Sequence, residues 1–253
     1  MTAVRFDTVK GTVDRSSAAA EINPFDLYAI EAAVQLKEKN GGTVTAVSMG
    51  PPSADAALRD AISRGVDRGV LLTDMAFAGA DTLATSYTLA SAVKKLEEFD
   101  LIICGEKTVD GDTGQVGPEM AEHLNIPHIA YVSRIGAAGQ GLTVVCDMET
   151  EQYELSCPFP LLLTVTKDVN TPRLPTFRDK LNARKAAIEV WNAKDLAAVA
   201  NTDKIGSGGS PTRVWQITVP SEEGRKGKIY RTLVDECFQD IFESIRVPGK
   251  DLR

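Results

Sequence analysis

The 253-residue chain reads as an α/β protein with a mainly parallel sheet, helices on both faces, an added pair of antiparallel strands and a C-terminal arm. Three observations predict this. Short apolar or β-branched runs alternate with helical patterns from residue 24 to about residue 132, which demands crossover connections and therefore parallel strands. One such run, D-L-I-I-C at 100–104, leads through a glycine-rich stretch into a helix, the place where open α/β sheets carry ligands. From residue 142 the pattern changes to alternating segments joined by a short turn, as in a hairpin.

The elements follow in order. Asn23 is a good N-cap and Pro24 suits a first turn, so a helix is predicted over 24–39, with Ile30, Ala33, Val34 and Lys37 at helical spacing. Asn40, Gly41 and Gly42 stop it. Residues 43–49 (T-V-T-A-V-S-M) predict a strand closing on Gly50, Pro51 and Pro52. Ser53 can cap a second helix that ends near Arg64 and Gly65. A short strand follows at 70–73, and Asp81 caps a third helix running to about Glu98. After the 100–104 strand, residues 119–124 lie in a fourth helix and 129–132 in a further strand. Residues 142–147 and 152–157 pair as antiparallel strands about a turn at 148–151, and 161–166 is another buried strand. Residues 170–176 form a proline-bearing loop and 178–187 a basic helix. Beyond Asn201 a linker (G-S-G-G-S-P) leads to a C-terminal arm with its last helix near 233–245. The expected organisation is an α/β domain over 1–200 and a linker and arm over 201–253.

Composition narrows the function. Hydrophobic residues make up 43% and charged residues 25%, enough for a sizeable core. The net charge of −7 argues against nucleic acid and anionic membrane partners. The basic residues between Arg178 and Lys185 read as a solvated helix face. The four cysteines, Cys104, Cys146, Cys157 and Cys237, show no CxxC or Cys/His cluster, so zinc and iron–sulfur ligation are not expected. Cys104 and Cys157 end apolar runs and read as buried thiols of a reducing compartment. No run approaches membrane-spanning length and the first residues lack a signal-peptide core, so a cytoplasmic protein without membrane insertion is expected. His123 and His128 have no Ser, Cys or carboxylate partner at diagnostic spacing and read as packing or surface residues.

The chemistry lies in residues 105–118, G-E-K-T-V-D-G-D-T-G-Q-V-G-P. Glycines at 105, 111, 114 and 117 let backbone approach a ligand, and the helix start offers free N–H groups and a positive dipole end to a phosphate. Thr108, Thr113 and Gln115 add neutral polar groups. The segment is neither a P-loop nor a GxGxxG, so on these residues alone a phosphate-binding loop and a plain glycine-rich turn both stand. Asp110 and Asp112 read as turn formers or ribose ligands, with a metal or acid/base pair as the alternative.

Four segments, N-P-F-D at 23–26, A-V-S-M-G-P at 46–51, the 105–118 loop and P-R-L-P-T-F at 172–177, resemble the beta subunit of electron transfer flavoproteins, in the family's order and spacing. The resemblance implies an adenine-nucleotide-binding, Rossmann-like fold and pairing with an FAD-containing alpha subunit, against which the 201–253 arm would pack. It places nucleotide contacts on Asn23, Pro24, Phe25, Asp26, Met49, Gly105, Glu106, Lys107, Thr108, Val109, Asp110, Gly111, Asp112, Thr113, Gly114, Gln115 and Val116. Asn23 then reads both as a cap and as a ligand contact. No catalytic side chain is implied. The G-D-T-G-Q-V-G-P version of the loop is similar to the bifurcating branch of the family, which holds FAD in this subunit. In that branch NADH is the hydride donor, and electrons pass to ferredoxin and, through the alpha-subunit FAD, to an acyl-CoA dehydrogenase-type enzyme. The alternatives are a non-bifurcating subunit holding structural AMP, and a stand-alone nucleotide-binding regulatory protein. Phe177 falls where the family carries an apolar docking anchor for its dehydrogenase partner. Family members also open with a strand that contacts the nucleotide. Residues 1–7 (M-T-A-V-R-F-D) resemble the stretch after it, so the natural start is expected upstream, by roughly 15 residues at strand geometry.

Overall fold

The computed structural model describes residues 5–7, 12–14, 21–96, 98–138, 141–213, 215, 237–239 and 241–242. Contacts divide the chain into two compact units, Met1–Trp215 and Gln216–Arg253. In the second, residues 237–239 and 241–242 are helical; the rest of the helix expected over 233–245 lies outside the described residues.

The first unit begins with a small antiparallel ribbon, β1 (Arg5–Asp7) with β2 (Thr12–Asp14). Helix α1 (Pro24–Asn40) follows and ends where the Gly41 N–H bonds the Lys37 carbonyl. After β3 (Thr45–Met49), a 3-10 turn at Pro52–Ala54 leads into α2 (Asp55–Ser63). No side chain caps α2, so Ser53 belongs to that turn and not to a cap. After β4 (Arg68–Leu72) comes α3 (Thr82–Lys95), capped by the Asp81 carboxylate on the Ala84 N–H and ending short of the expected Glu98. Next come β5 (Leu101–Gly105) and α4 (Val116–Leu124), which starts inside the glycine-rich segment, three residues earlier than expected. Strand β6 (His128–Ala138) runs well past residue 132, and β7 (Gly141–Met148) with β8 (Glu151–Pro158) forms the expected hairpin. The order closes with β9 (Leu161–Val165), α5 (Phe177–Lys185) and β10 (Ile188–Trp191).

The α/β class with flanking helices holds, but, apart from the β1–β2 ribbon, the described strands divide into two sheets. One is three-stranded and all parallel, ordered β10-β4-β3; the other has five strands, ordered β5-β9-β6-β7-β8. In the larger sheet β5, β9 and β6 are parallel, while β7 and β8 add antiparallel. Strand β10 is absent from the sequence reading; four residues carry little pattern, and pairing with β4 decides it.

Two helices span both sheets. Helix α1 packs Val34 against Ala46 of β3, and Ala29 with Leu36 against Leu101 and Ile103 of β5. On the opposite layer, Tyr87 and Leu89 of α3 join the cluster of Val47 and Met49, and Leu89 also meets Ile102 beside Met120 of α4. Alternate residues of each strand thus face opposite helical layers, as a period of two requires. Every side chain of β9 is buried. Each large apolar one contributes roughly 1.5–3 kcal/mol relative to exposure. The stretch after Asn201 folds back on α3: the Asn201 N–H meets the Tyr87 hydroxyl at 2.8 Å and Thr212 bonds the Asp81 carboxylate.

Candidate functional site

The 105–116 segment leaves the carboxyl end of β5 and is fastened to the start of α1. Asp26 accepts the Gly105 N–H at 2.7 Å. Asn23 donates its amide to the Lys107 carbonyl at 2.9 Å and accepts the Val109 N–H at 3.2 Å. Asn23 therefore does not cap α1 with its side chain; that amide grips a loop 84 residues away, and also donates to Asp26 at 3.1 Å. Pro24 stands at the first turn of α1. Phe25 packs where a Cβ on Gly105 would come within 2.6 Å of its own Cβ. Gly105 is thus required by helix–strand packing, and Gly117 likewise, since a Cβ there would lie 2.6 Å from Thr164 Cγ2. These two glycines are required by internal packing.

The remaining loop is open. The Glu106 N–H bonds the Val165 carbonyl, Thr108 accepts from Gly111 N–H, and Asp112 N–H bonds the Thr108 carbonyl. Val109, Asp110, Gly111, Asp112, Thr113 and Gln115 are exposed. Gly114 has φ 63° and Asp112 φ 51°, a left-handed pair of turns that glycine takes without strain and aspartate tolerates. Gln115 opens α4 without a side-chain cap, and Pro118 has no N–H. The first turn thus offers the Val116 amide and the positive end of the helix, which suits a phosphate, with Gly117 buried behind it. The donor set fits a nucleotide diphosphate: an uncapped amide, neutral hydroxyls at Thr108 and Thr113, and one cation. That cation is Lys107, 2.8 Å from Asp112 and 5.8 Å from the centre of the Phe25 ring.

Electrostatics sharpen the picture. Burial pushes the Asp26 carboxyl up, against the hydrogen bonds from Gly105 and Asn23 that lower it. The Cys104 thiol is pushed up to about 12, first by burial and then by the Asp26 charge. Cys146 is the wholly buried thiol, while Cys104 and Cys157, expected buried, are half-buried as residues. His123 on α4 meets Tyr87 edge-on at 5.3 Å, and burial lowers both His123 and His128. Among the described residues no group of three or more His, Cys, Asp or Glu is placed to hold a metal ion, and no helix is long and apolar enough to cross a membrane.

Met49 stands at the end of β3, packed with the β4 cluster rather than on the loop. Phe177 is elsewhere, as the first residue of α5, 78% exposed beside Leu174 at 87%. The turn that presents them is fixed. Arg173 binds both Glu31 oxygens and both Glu38 oxygens of α1, the closest Glu31 contact at 2.8 Å, and Arg64 donates to the Arg173 carbonyl. Thr176 and Asp179 form a reciprocal capping box at the start of α5. Arg59 of α2 donates to the carbonyls of Ala183, Arg184 and Ala186 at its other end. Sequence reading missed Tyr131, which has φ 55° and is half-exposed on β6. Only the sheet register reveals it.

The sequence profile described as the electron transfer flavoprotein domain matches residues 10–196. An electron transfer flavoprotein subunit beta from Thermoanaerobacterium thermosaccharolyticum is 40% identical over 243 residues, 96% of this chain and 92% of that protein. Protein FixA of Azorhizobium caulinodans is 41% identical over 239 residues, 92% of this chain and 83% of its own length. The caffeyl-CoA reductase-Etf complex subunit CarD of Acetobacterium woodii is 37% identical over 244 residues, again 96% and 92%.

Proposed function

This chain belongs to the electron transfer flavoprotein family, among its beta subunits, and from that premise we propose that it holds FAD on the 105–116 loop in an NADH-dependent, bifurcating complex of the cytoplasm. The observation that carries the reading is the uncapped start of α4 behind an open loop fastened to Asn23 and Asp26. The Val116 amide and the positive end of α4 hold the phosphates, Lys107 supplies countercharge, and Asp110 with Asp112 meets ribose hydroxyls. Small residues at 111 and 114 leave room for a ligand longer than AMP. When bound, FAD would supply redox chemistry between NADH as two-electron donor and two one-electron acceptors, ferredoxin and, by way of the alpha-subunit FAD, an acyl-CoA dehydrogenase-type partner. The protein's own work is to bind, orient and tune, and no side chain acts as nucleophile or acid. The name of the relative CarD, a subunit of a caffeyl-CoA reductase complex, supports an acyl-CoA-directed partner.

Phe177 and Leu174, exposed on a turn clamped to α1, are the docking anchors for that partner. An anchor of this kind typically carries about 2 kcal/mol or more of an interface. Phe177→Ala should weaken transfer to the dehydrogenase while NADH oxidation with an artificial acceptor survives. Unchanged partner kinetics would remove Phe177 from the role.

Cofactor content decides the central claim. The purified alpha–beta complex should yield two FAD per pair; one FAD and one AMP would sink the bifurcating reading. Gly114→Gln places a side chain at φ 63° beside the Glu106 carbonyl. It should deplete the beta-subunit flavin and leave the alpha flavin bound.

A further inference from the structure

A tyrosine in the left-handed region is unfavourable, because a bulky residue crowds the backbone there. Tyr131 is held in it, at φ 55°. Sheet register imposes the conformation. His128 pairs with Leu162 and Ile129 with Leu163, but Val132 pairs with Val165, so β6 carries one residue more than β9 across this step. Such a bulge re-aims a side chain, and bulges gather beside functional sites. This one leaves Ile129 and Val132 buried and turns Tyr131 outward, 48% exposed. The Tyr131 N–H reaches Thr164 Oγ1 at 3.4 Å.

The bulge stands level with the start of the nucleotide loop. Val132 lies opposite Val165, and the Val165 carbonyl accepts the Glu106 N–H at 3.1 Å. Only β9 separates β6 from β5. Two strand spacings make this roughly 10 Å, within reach of an aromatic side chain and a ligand between them. Lys107 is raised above the usual lysine value first by Asp112, then by Glu106 and Tyr131, so the phenol lies within electrostatic reach of the loop. Strain of this kind persists only where the surroundings over-determine it, and it clusters at ligand sites.

We infer that Tyr131 is a cofactor-contacting residue, its ring forming a wall for the flavin-ring end of an FAD whose phosphates rest on the start of α4. The inference rests on the FAD reading above and deepens it. AMP ends at its phosphate and would leave the Tyr131 ring without a partner. Aromatic stacking is tolerant of substitution by phenylalanine and is lost with a small polar side chain. Asparagine suits the left-handed backbone, so Tyr131→Asn removes the ring without adding strain.

The test uses the alpha–beta complex with the alpha flavin retained and the beta site emptied, titrated separately with FAD and with AMP. Tyr131→Asn should raise the FAD Kd roughly tenfold and brighten the bound flavin's fluorescence, by loss of stacking. Its AMP Kd should match wild type, and Tyr131→Phe should behave as wild type toward both. An unchanged FAD Kd and fluorescence in Tyr131→Asn overturns the inference alone. So does an equal loss of FAD and AMP affinity, which marks Tyr131 as a structural residue. A wild-type complex that binds AMP but not FAD overturns the FAD reading and the inference together.

Discussion

Cys104 shows how far one residue's chemistry is set by its neighbours. It is the penultimate residue of β5, just before the loop, where an exposed thiol would be open to oxidants and alkylating agents. Its Sγ donates toward the Leu163 carbonyl at 3.7 Å, and burial with the Asp26 charge pushes its pKa up to about 12. The thiolate is the reactive form. At pH 8 a thiol of that pKa is ionised only to about one part in ten thousand, by the ratio that a pKa difference fixes. Native protein treated with iodoacetamide at pH 8 should therefore stay unmodified at Cys104, as read by peptide mass, while unfolded protein reacts. Rapid native labelling of Cys104 would contradict its burial. At this scale the site was partly legible. The loop's glycines and aspartates could be picked out as a ligand segment, but their division of labour could not. Gly105 answers to Phe25, and Asn23 answers to Lys107 and Val109, all distant partners that no local pattern encodes. A local cap is the natural reading of Asn23 before Pro24, and the tertiary bond overrides it.

Helix α1 ties two regions at once, holding the 105–116 loop at its start and the turn at Arg173 along its length. Glu31 is buried at 5% exposure, with Arg173 and Gln35 on its carboxylate. Burial alone would raise its carboxyl; the Arg173 hydrogen bonds outweigh that and hold it net below the usual range. A lowered folded value means stability that is present above the unfolded pKa, about 4.3, and is lost as pH falls through the folded one. Glu31→Gln should therefore cost roughly 1–3 kcal/mol at pH 7, as a buried charge-assisted bond is broken. The gap to wild type should close in urea melts taken below about pH 4, as the wild-type carboxyl also protonates. A gap independent of pH would mean packing, not charge, holds the turn. The other end of α1 gives a steric prediction. Gly105→Ala puts a methyl 2.6 Å from Phe25 Cβ and should destabilise by about 1–3 kcal/mol, the usual range for overpacking. Helices were the most legible elements, because Asp81 and the Gly41–Gly42 stop act locally. Strand β10 was not, since Ile188–Trp191 becomes a strand through pairing with Gly69–Leu72.

The whole molecule poses a problem of sheet edges. Alternating helices and strands announced the α/β class, but not that the strands part into two sheets. That division goes with β9 inserting between β5 and β6, pairings of residues about 60 and about 34 apart that composition and periodicity do not encode. Among the described residues, nothing pairs with the outer edge of β3 or of β5. Both strands are half-buried along their length, and both lie between α1 on one layer and α3 on the other. In a parallel ladder, alternate N–H groups point to opposite sides, so an edge strand leaves half of them without a sheet partner. Such groups open at lower free energy than those of a central strand. Hydrogen exchange on the 253-residue chain should therefore rank its strands. Peptides covering β4 and β9, each flanked on both sides and buried, should exchange slowest, near the rate set by global unfolding. Peptides covering Thr45–Met49 and Leu101–Gly105 should exchange faster, through local opening. Equal protection of all four strands would mean that the edges of β3 and β5 are covered in solution, and that the two sheets act as one.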